Sequence, residues 1–187
     1  MSQTLSPESN ISPSNTPTQA GVHVARRYTQ KGRDPFEDIK WEKRRTVIAN
    51  PDGSTVFAME DIEVPAEWSQ LATDIVVSKY FRKAGVPGTP GHETSVRQVV
   101  RRLAHTLRVS GEAQGGYFAT PEDAETFEAE LSYMLVHQIG AFNSPVWFNC
   151  GLFHEYGIVG SGGSFAVDLA TDTGRMTTDS YSRPQVS

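Results

Sequence analysis

Between Gln138 and Gly151 the chain reads QIGAFNSPVWFNCG, packing aromatic rings, small polar side chains and a proline more densely than any other stretch. Its rings favour burial, and every amide or hydroxyl enclosed with them must then find a hydrogen bond. Gln138 and Ile139 read as the end of a long helix, with Gly140 as the left-handed cap that stops it. Ser144 precedes Pro145, which drives its backbone toward an extended conformation and holds its hydroxyl in a defined direction. The expected arrangement is a helix end entering a short buried strand, with a hydroxyl placed where it can bind a phosphate oxygen.

The helix that delivers the chain to this stretch announces its start. Thr120 reads as N-cap, Pro121 as first-turn residue, and Glu122 and Asp123 as acids at the positive end of the helix dipole. Ala124, Phe127, Leu131, Met134, Leu135 and Gln138 then follow one face. A helix before it opens on the capping box Ser95 and Gln98. Its apolar stripe is Val96, Val99, Val100, Leu103, Ala104 and Leu107, leaving Arg97, Arg101, Arg102 and Arg108 mostly toward the other side. That arginine face would meet water, a nucleotide phosphate or another subunit. His105 reads as a partly buried packing residue.

An earlier helix follows from the spacing of Trp68, Leu71, Ala72, Ile75, Val76 and Tyr80, ended by Gly85-Val86-Pro87-Gly88, with Trp68, Tyr80 and Phe81 as core. Trp41 to Ala49 and Thr55 to Met59 flank NPDGS and predict a β-hairpin. On it Lys43, Arg44 and Arg45 read as a solvated strand face rather than a ligand site. Residues 22–36 are a short mixed segment whose VARRY lies against the domain as a strand or a docked arm. Residues 1–21, rich in Ser, Thr, Pro, Asn and Gln, bury too little apolar surface to order themselves.

Beyond Gly151, GIVGSGGSFAVD lacks the Gly-Lys-Ser/Thr of a phosphate loop and reads as a flexible hairpin or surface insertion. His154-Glu155 lacks the second histidine of a helical zinc motif, and DLATDTGRMTTDSYSRPQVS reads as loop. With 187 residues, net charge -5 and 37% hydrophobic residues, the composition fits one soluble domain plus a tail. The single cysteine, Cys150, excludes an internal disulfide and a cysteine-cluster metal site, so no metal is expected in this chain. Mild acidity speaks against a nucleic-acid partner. No run approaches the roughly 18 apolar residues of a membrane span, and the polar start makes the cytoplasm the expected location.

FNSPVWFNCG, with YFAT and EDAE upstream and RPQVS downstream, resembles the amino-terminal region of the adenosylcobalamin-dependent (class II) ribonucleotide reductases. WEKRR, EVPAEWSQLATDIVVSKYF and ETSVRQVV extend the resemblance from about Val24 to Ser187. It implies an α+β fold: a mainly helical amino-terminal domain with a β-hairpin, leading into the first strand, begun by Val146 to Asn149, of an incomplete ten-stranded α/β barrel. The corresponding division is a disordered tail over 1–21, the amino-terminal reductase domain over 22–140, and the start of the catalytic barrel over 141–187.

The function so implied is part of a ribonucleoside-diphosphate reductase that makes deoxyribonucleotides for DNA synthesis by radical chemistry. Ser144 would contact substrate phosphate, with Ser187, which matches the residue beside the family's redox cysteine or lies one short of it, as a second substrate-binding residue. Cys150 matches no redox cysteine of the family and reads as a small core residue, which leaves no catalytic residue in this chain. Adenosylcobalamin would be bound mainly by the barrel. The implied partners are the ribonucleotide substrate and the remaining catalytic barrel, with room for a homodimer. Without that barrel the segment would be inactive and prone to associate through an unpaired edge, as an interrupted or intein-containing reading frame would leave it. The competing reading is a non-catalytic interaction or regulatory module that binds a reductase subunit.

Overall fold

The computed structural model describes residues 21–159 and the strand backbones Ser164–Asp168 and Thr173–Thr177. Apart from Gly21, the expected disordered tail lies outside the described residues, as does Ser187.

The hairpin forms where its turn chemistry puts it. Strands β1 (Trp41–Ala49) and β2 (Thr55–Pro65) are antiparallel, and Asp52 accepts from the Ser54 amide and hydroxyl while Gly53 takes φ 84°. β2 runs past the expected Met59 because a bulge, with Asp61 at φ 56°, re-aims its second half. Ile62 and Val64 thereby reach the core. Lys43 and Arg45 stay at the surface beside Asp61 and Glu60. Arg44 departs from the solvated-face expectation: its guanidinium turns inward and donates to the Ala66 carbonyl at 3.0 Å and Thr73 Oγ1 at 3.1 Å, as well as to the Trp68 carbonyl.

The helix expected from Trp68 onward is two pieces. α1 (Gln70–Ile75) is capped by the Ser69 side chain and continues as a π-helix over Val76–Tyr80, closed by the Phe81 amide on the Val76 carbonyl at 3.0 Å. The chain leaves it extended at Phe81, whose ring is buried, so the helix ends before Gly85. Leu71 and Ile75, grouped with the core by spacing, face solvent.

α2 (Val96–Ala113) carries the expected capping box of Ser95 and Gln98, and Val96, Val99, Val100, Leu103 and Ala104 are fully buried. All four of its arginines meet the protein's own carboxylates: Arg97 with Glu63, Arg101 with Asp34, Arg108 with Glu128 and, out of solvent, Arg102 with Glu93. Arg102 corrects the expectation of an outward arginine face, because it is buried among the apolar residues.

α3 (Pro121–Val136) starts at Thr120 as expected and buries two faces. Ala124, Leu135 and Val136 are buried apolar positions, while Asp123 and Glu130 hold residues 23–29 as a docked arm. Val24 donates to Asp123 at 2.8 Å, Thr29 to Glu130 at 2.9 Å, and the Tyr28 ring stacks on Tyr133. The helix stops differently from the expectation. Gln138, not Gly140, takes the left-handed conformation (φ 56°), and the Gln138 and Ile139 amides close back on Leu135 and Met134.

The predicted strand at Val146 to Asn149 is a helix. α4 (Ser144–Asn149) has Asn143 as its extended N-cap and Pro145 in its first turn, where a missing N–H costs nothing and a fixed φ suits the helix. Ser144 is therefore the first helical residue rather than an extended one. α5 (Leu152–Tyr156) follows between Gly151 and Gly157, both left-handed. Ser164–Asp168 (β3) pairs antiparallel with Thr173–Thr177 (β4), a strand where a loop was expected. The barrel expected beyond this point is not among the described residues.

Candidate functional site

Two tryptophans fix the path into α4. The Trp68 indole donates to the Val136 carbonyl at 2.7 Å, tying the end of α3 to the segment before α1. The Trp147 indole donates to the Phe142 carbonyl at 2.9 Å, folding the loop back on the helix it precedes. Ser144 is half-buried at the start of α4, and its hydroxyl lies 3.1 Å from the Tyr80 hydroxyl. The Tyr80 ring packs on Trp147 and Phe148, with centroids 5.8 and 5.3 Å apart. Its other contacts open on a cleft of about 300 Å³ walled by Trp68, Ile75, Tyr80, Phe142 and Trp147. One tyrosine thus joins the Ser144 hydroxyl to an aromatic cleft.

The same segment is clamped from below by charge. Glu93, fully buried, accepts from Arg102 Nε at 2.8 Å, the Arg82 amide at 2.7 Å and the Tyr156 hydroxyl at 2.8 Å. Arg102 also donates to the Trp147 carbonyl at 3.2 Å and to the Cys150 carbonyl. Those carbonyls lie at the end of α4, so the pair fastens α4 and α5 to α2. Gly151 makes the approach possible: a β-carbon there would stand 2.5 Å from Arg102 Cγ and 2.6 Å from Thr106 Oγ1. Burial, with Glu93 beside it, pushes the Tyr156 phenol well above the usual tyrosine range, so it stays a donor. Burial also raises the Cys150 thiol, partly offset by Arg102, which keeps the sulfur protonated and unreactive.

Sequence reasoning missed this clamp. Arg102 lies three residues after Val99 on the same helical face, which was the available signal, but a charge in an apolar stripe implies a buried partner only when that partner is known.

His105 pairs with Glu155 at 2.9 Å rather than packing alone, on a second cleft of about 420 Å³ between Arg101, Arg108, Glu125 and Glu128. Neither of these two clefts is large enough to enclose a corrinoid ring with its nucleotide tail. Among the described residues there is no group of three or more His, Cys, Asp and Glu side chains suited to a metal ion. No helix among them is long and apolar enough to cross a membrane. Of the two serines singled out in the sequence, the structure presents Ser144, while Ser187 lies outside the described residues.

Residues 42–138 match the family described as class II vitamin B12-dependent ribonucleotide reductase. The chain is 41% identical over 196 residues to the vitamin B12-dependent ribonucleotide reductase of Agrobacterium fabrum, covering 88% of this chain and 15% of the relative. With the protein of that name from Rhodopirellula baltica the identity is 45% over 157 residues, covering 83% and 15%. For Streptomyces coelicolor it is 48% over 132 residues, covering 70% and 13%. The chain therefore spans about 15% of the length of these curated relatives.

Proposed function

Because the chain belongs to the class II vitamin B12-dependent ribonucleotide reductase family, we propose that it serves as the amino-terminal part of an enzyme that removes the ribose 2'-hydroxyl of ribonucleotides. The product would be deoxyribonucleotides for DNA synthesis, formed in the cytoplasm, with ribonucleoside diphosphates as substrates. Within that enzyme these residues bind and orient rather than react. Ser144 donates its hydroxyl proton to a phosphate oxygen of the substrate, and the Glu93–Arg102 clamp holds α4 still while it does so. Ser187 is assigned a second, supporting contact with substrate.

The observation that carries this reading is the setting of Ser144. The residue is half-buried on a helix anchored to α2, and its hydroxyl has a second hydroxyl in reach. A group so held loses little orientational freedom on binding, which is what a positioning contact needs.

Reduction of a ribose needs a dithiol to supply electrons, and these 187 residues contain one cysteine, Cys150, whose thiol is raised by burial. We therefore assign the redox cysteines, the barrel and the adenosylcobalamin site to the rest of the reductase, and infer that residues 1–187 alone do not turn over. When bound, the cobalamin supplies the radical chemistry of the reaction. The reading is tested by Ser144→Ala in the full-length reductase. The apparent KM for ribonucleotide should rise about tenfold, the value of one charge-assisted hydrogen bond, with kcat changed far less. An unchanged KM would remove Ser144 from the substrate site.

A further inference from the structure

We propose that Tyr80 is a positioning residue for phosphate recognition: its phenol donates to Ser144 Oγ and so aims the serine proton at a phosphate oxygen of the nucleotide. The inference rests on Ser144 being the phosphate ligand and names the group that orients it.

A serine hydroxyl has one proton and two lone pairs. If that proton goes to an anionic phosphate, the oxygen is left as an acceptor, and the described neighbour in reach is the Tyr80 hydroxyl at 3.1 Å. The pair then forms a chain from phenol to serine to phosphate, with every O–H pointing the same way. In such a chain each bond polarises the next, and the anion at its end strengthens both.

Tyr80 is itself held in place on two sides. Trp147 and Phe148 of α4 pack against its ring. The π-helix carries Val76 and Val77 into the core, with Phe81 buried just after it, and leaves Tyr80 half-buried at the edge facing α4. Such a one-turn widening of a helix recurs at functional sites because it re-aims a side chain. Here it brings a phenol from the first helical segment to a serine far along the chain. A purely structural pin between the π-helix and α4 would use the same hydrogen bond, but it would be indifferent to whether the ligand carries phosphate.

The test uses that difference. In the full-length reductase without cobalamin, so that no turnover intervenes, Kd is measured by calorimetry for cytidine di- and triphosphate and, by competition, for cytidine. The proteins compared are the unsubstituted reductase, Tyr80→Phe, Ser144→Ala and the double variant. Tyr80→Phe keeps the ring contacts and removes one oxygen. It should weaken the phosphorylated ligands about tenfold, leave cytidine unchanged, and add nothing in the Ser144→Ala background. Equal loss for cytidine and its phosphates would make the bond a structural pin and overturn the proposal. So would an undiminished affinity in Tyr80→Phe while Ser144→Ala binds weakly, or losses that simply add. If Ser144→Ala itself keeps full affinity for the phosphates, the reading of Ser144 falls, and the role of Tyr80 falls with it.

Discussion

Arg102 and Glu93 form an ion pair sealed from solvent, Nε to Oε1 at 2.8 Å, with 1% and 0% of their side chains exposed. The pair is satisfied all round, because Glu93 also takes the Arg82 amide and the Tyr156 hydroxyl, and Arg102 also serves two carbonyls at the end of α4. Breaking such a pair leaves a buried charge without a partner, which costs about 3–5 kcal/mol. Arg102→Met should therefore lower stability by that order in a urea titration, with Trp147 fluorescence shifting to the red as α4 loosens. A loss below about 1 kcal/mol would mean that the clamp does not hold the segment.

Gly151 gives an independent handle on the same contact. Its φ of 84° already disfavours a side chain, and a β-carbon would press on Arg102 and Thr106. Gly157, at φ 67°, has open space around it. Gly151→Ala should thus destabilise clearly more than Gly157→Ala, whose cost is the left-handed backbone alone, about 1 kcal/mol. Equal losses in thermal melts would show that the close approach of Arg102 is not maintained.

The end of α3 makes a third case. Gln138 occupies the left-handed position and Gly140 does not. Gln138→Gly should stabilise by about 0.5–1 kcal/mol, the relief of left-handed strain less the added freedom of the unfolded chain. Gly140→Ala should be close to neutral, since its new β-carbon would meet only Met134 Cε at 3.6 Å. The opposite ranking would restore Gly140 as the cap.

The docked arm should respond to acid. Asp123 is held below its usual value, 3.8, by hydrogen bonds from the Thr120 side chain and then the Val24 amide. For Glu130, desolvation acts upward but is outweighed by hydrogen bonds from Thr29 and Tyr28, leaving it below 4.5. A depressed carboxylate contributes stability that is fully present above its unfolded value and lost as pH falls through its folded one. The arm should therefore stay docked at neutral pH and release only below the ordinary carboxylate range. Amide exchange at Val24, Tyr28 and Thr29 should accelerate there before exchange within α2. Synchronous acceleration would mean that the arm is not separately released.

What could be read beforehand was local. The caps at Ser95 and Thr120 and the turn at Asn50–Ser54 are written in three to five adjacent residues, and each formed as expected. Val146-Trp147-Phe148 is short and apolar, which periodicity alone cannot divide between strand and helix; Pro145 in the first turn was the sign that favoured helix. The π-helix, the inward turn of Arg44 and the burial of Arg102 depend on partners elsewhere in the chain, so no local pattern reports them. Ser144 was singled out by its motif, whereas Tyr80 came to it only through the fold.

The most direct test of the proposed function is deoxyribonucleotide formation by the full-length protein carrying this segment. The purified protein is incubated with a ribonucleotide and a dithiol reductant, with and without adenosylcobalamin, and the product is quantified by chromatography. Turnover that requires the cobalamin, and is absent from residues 1–187 alone, is the predicted result. No deoxyribonucleotide with the cofactor present, or equal product without it, would contradict the assignment.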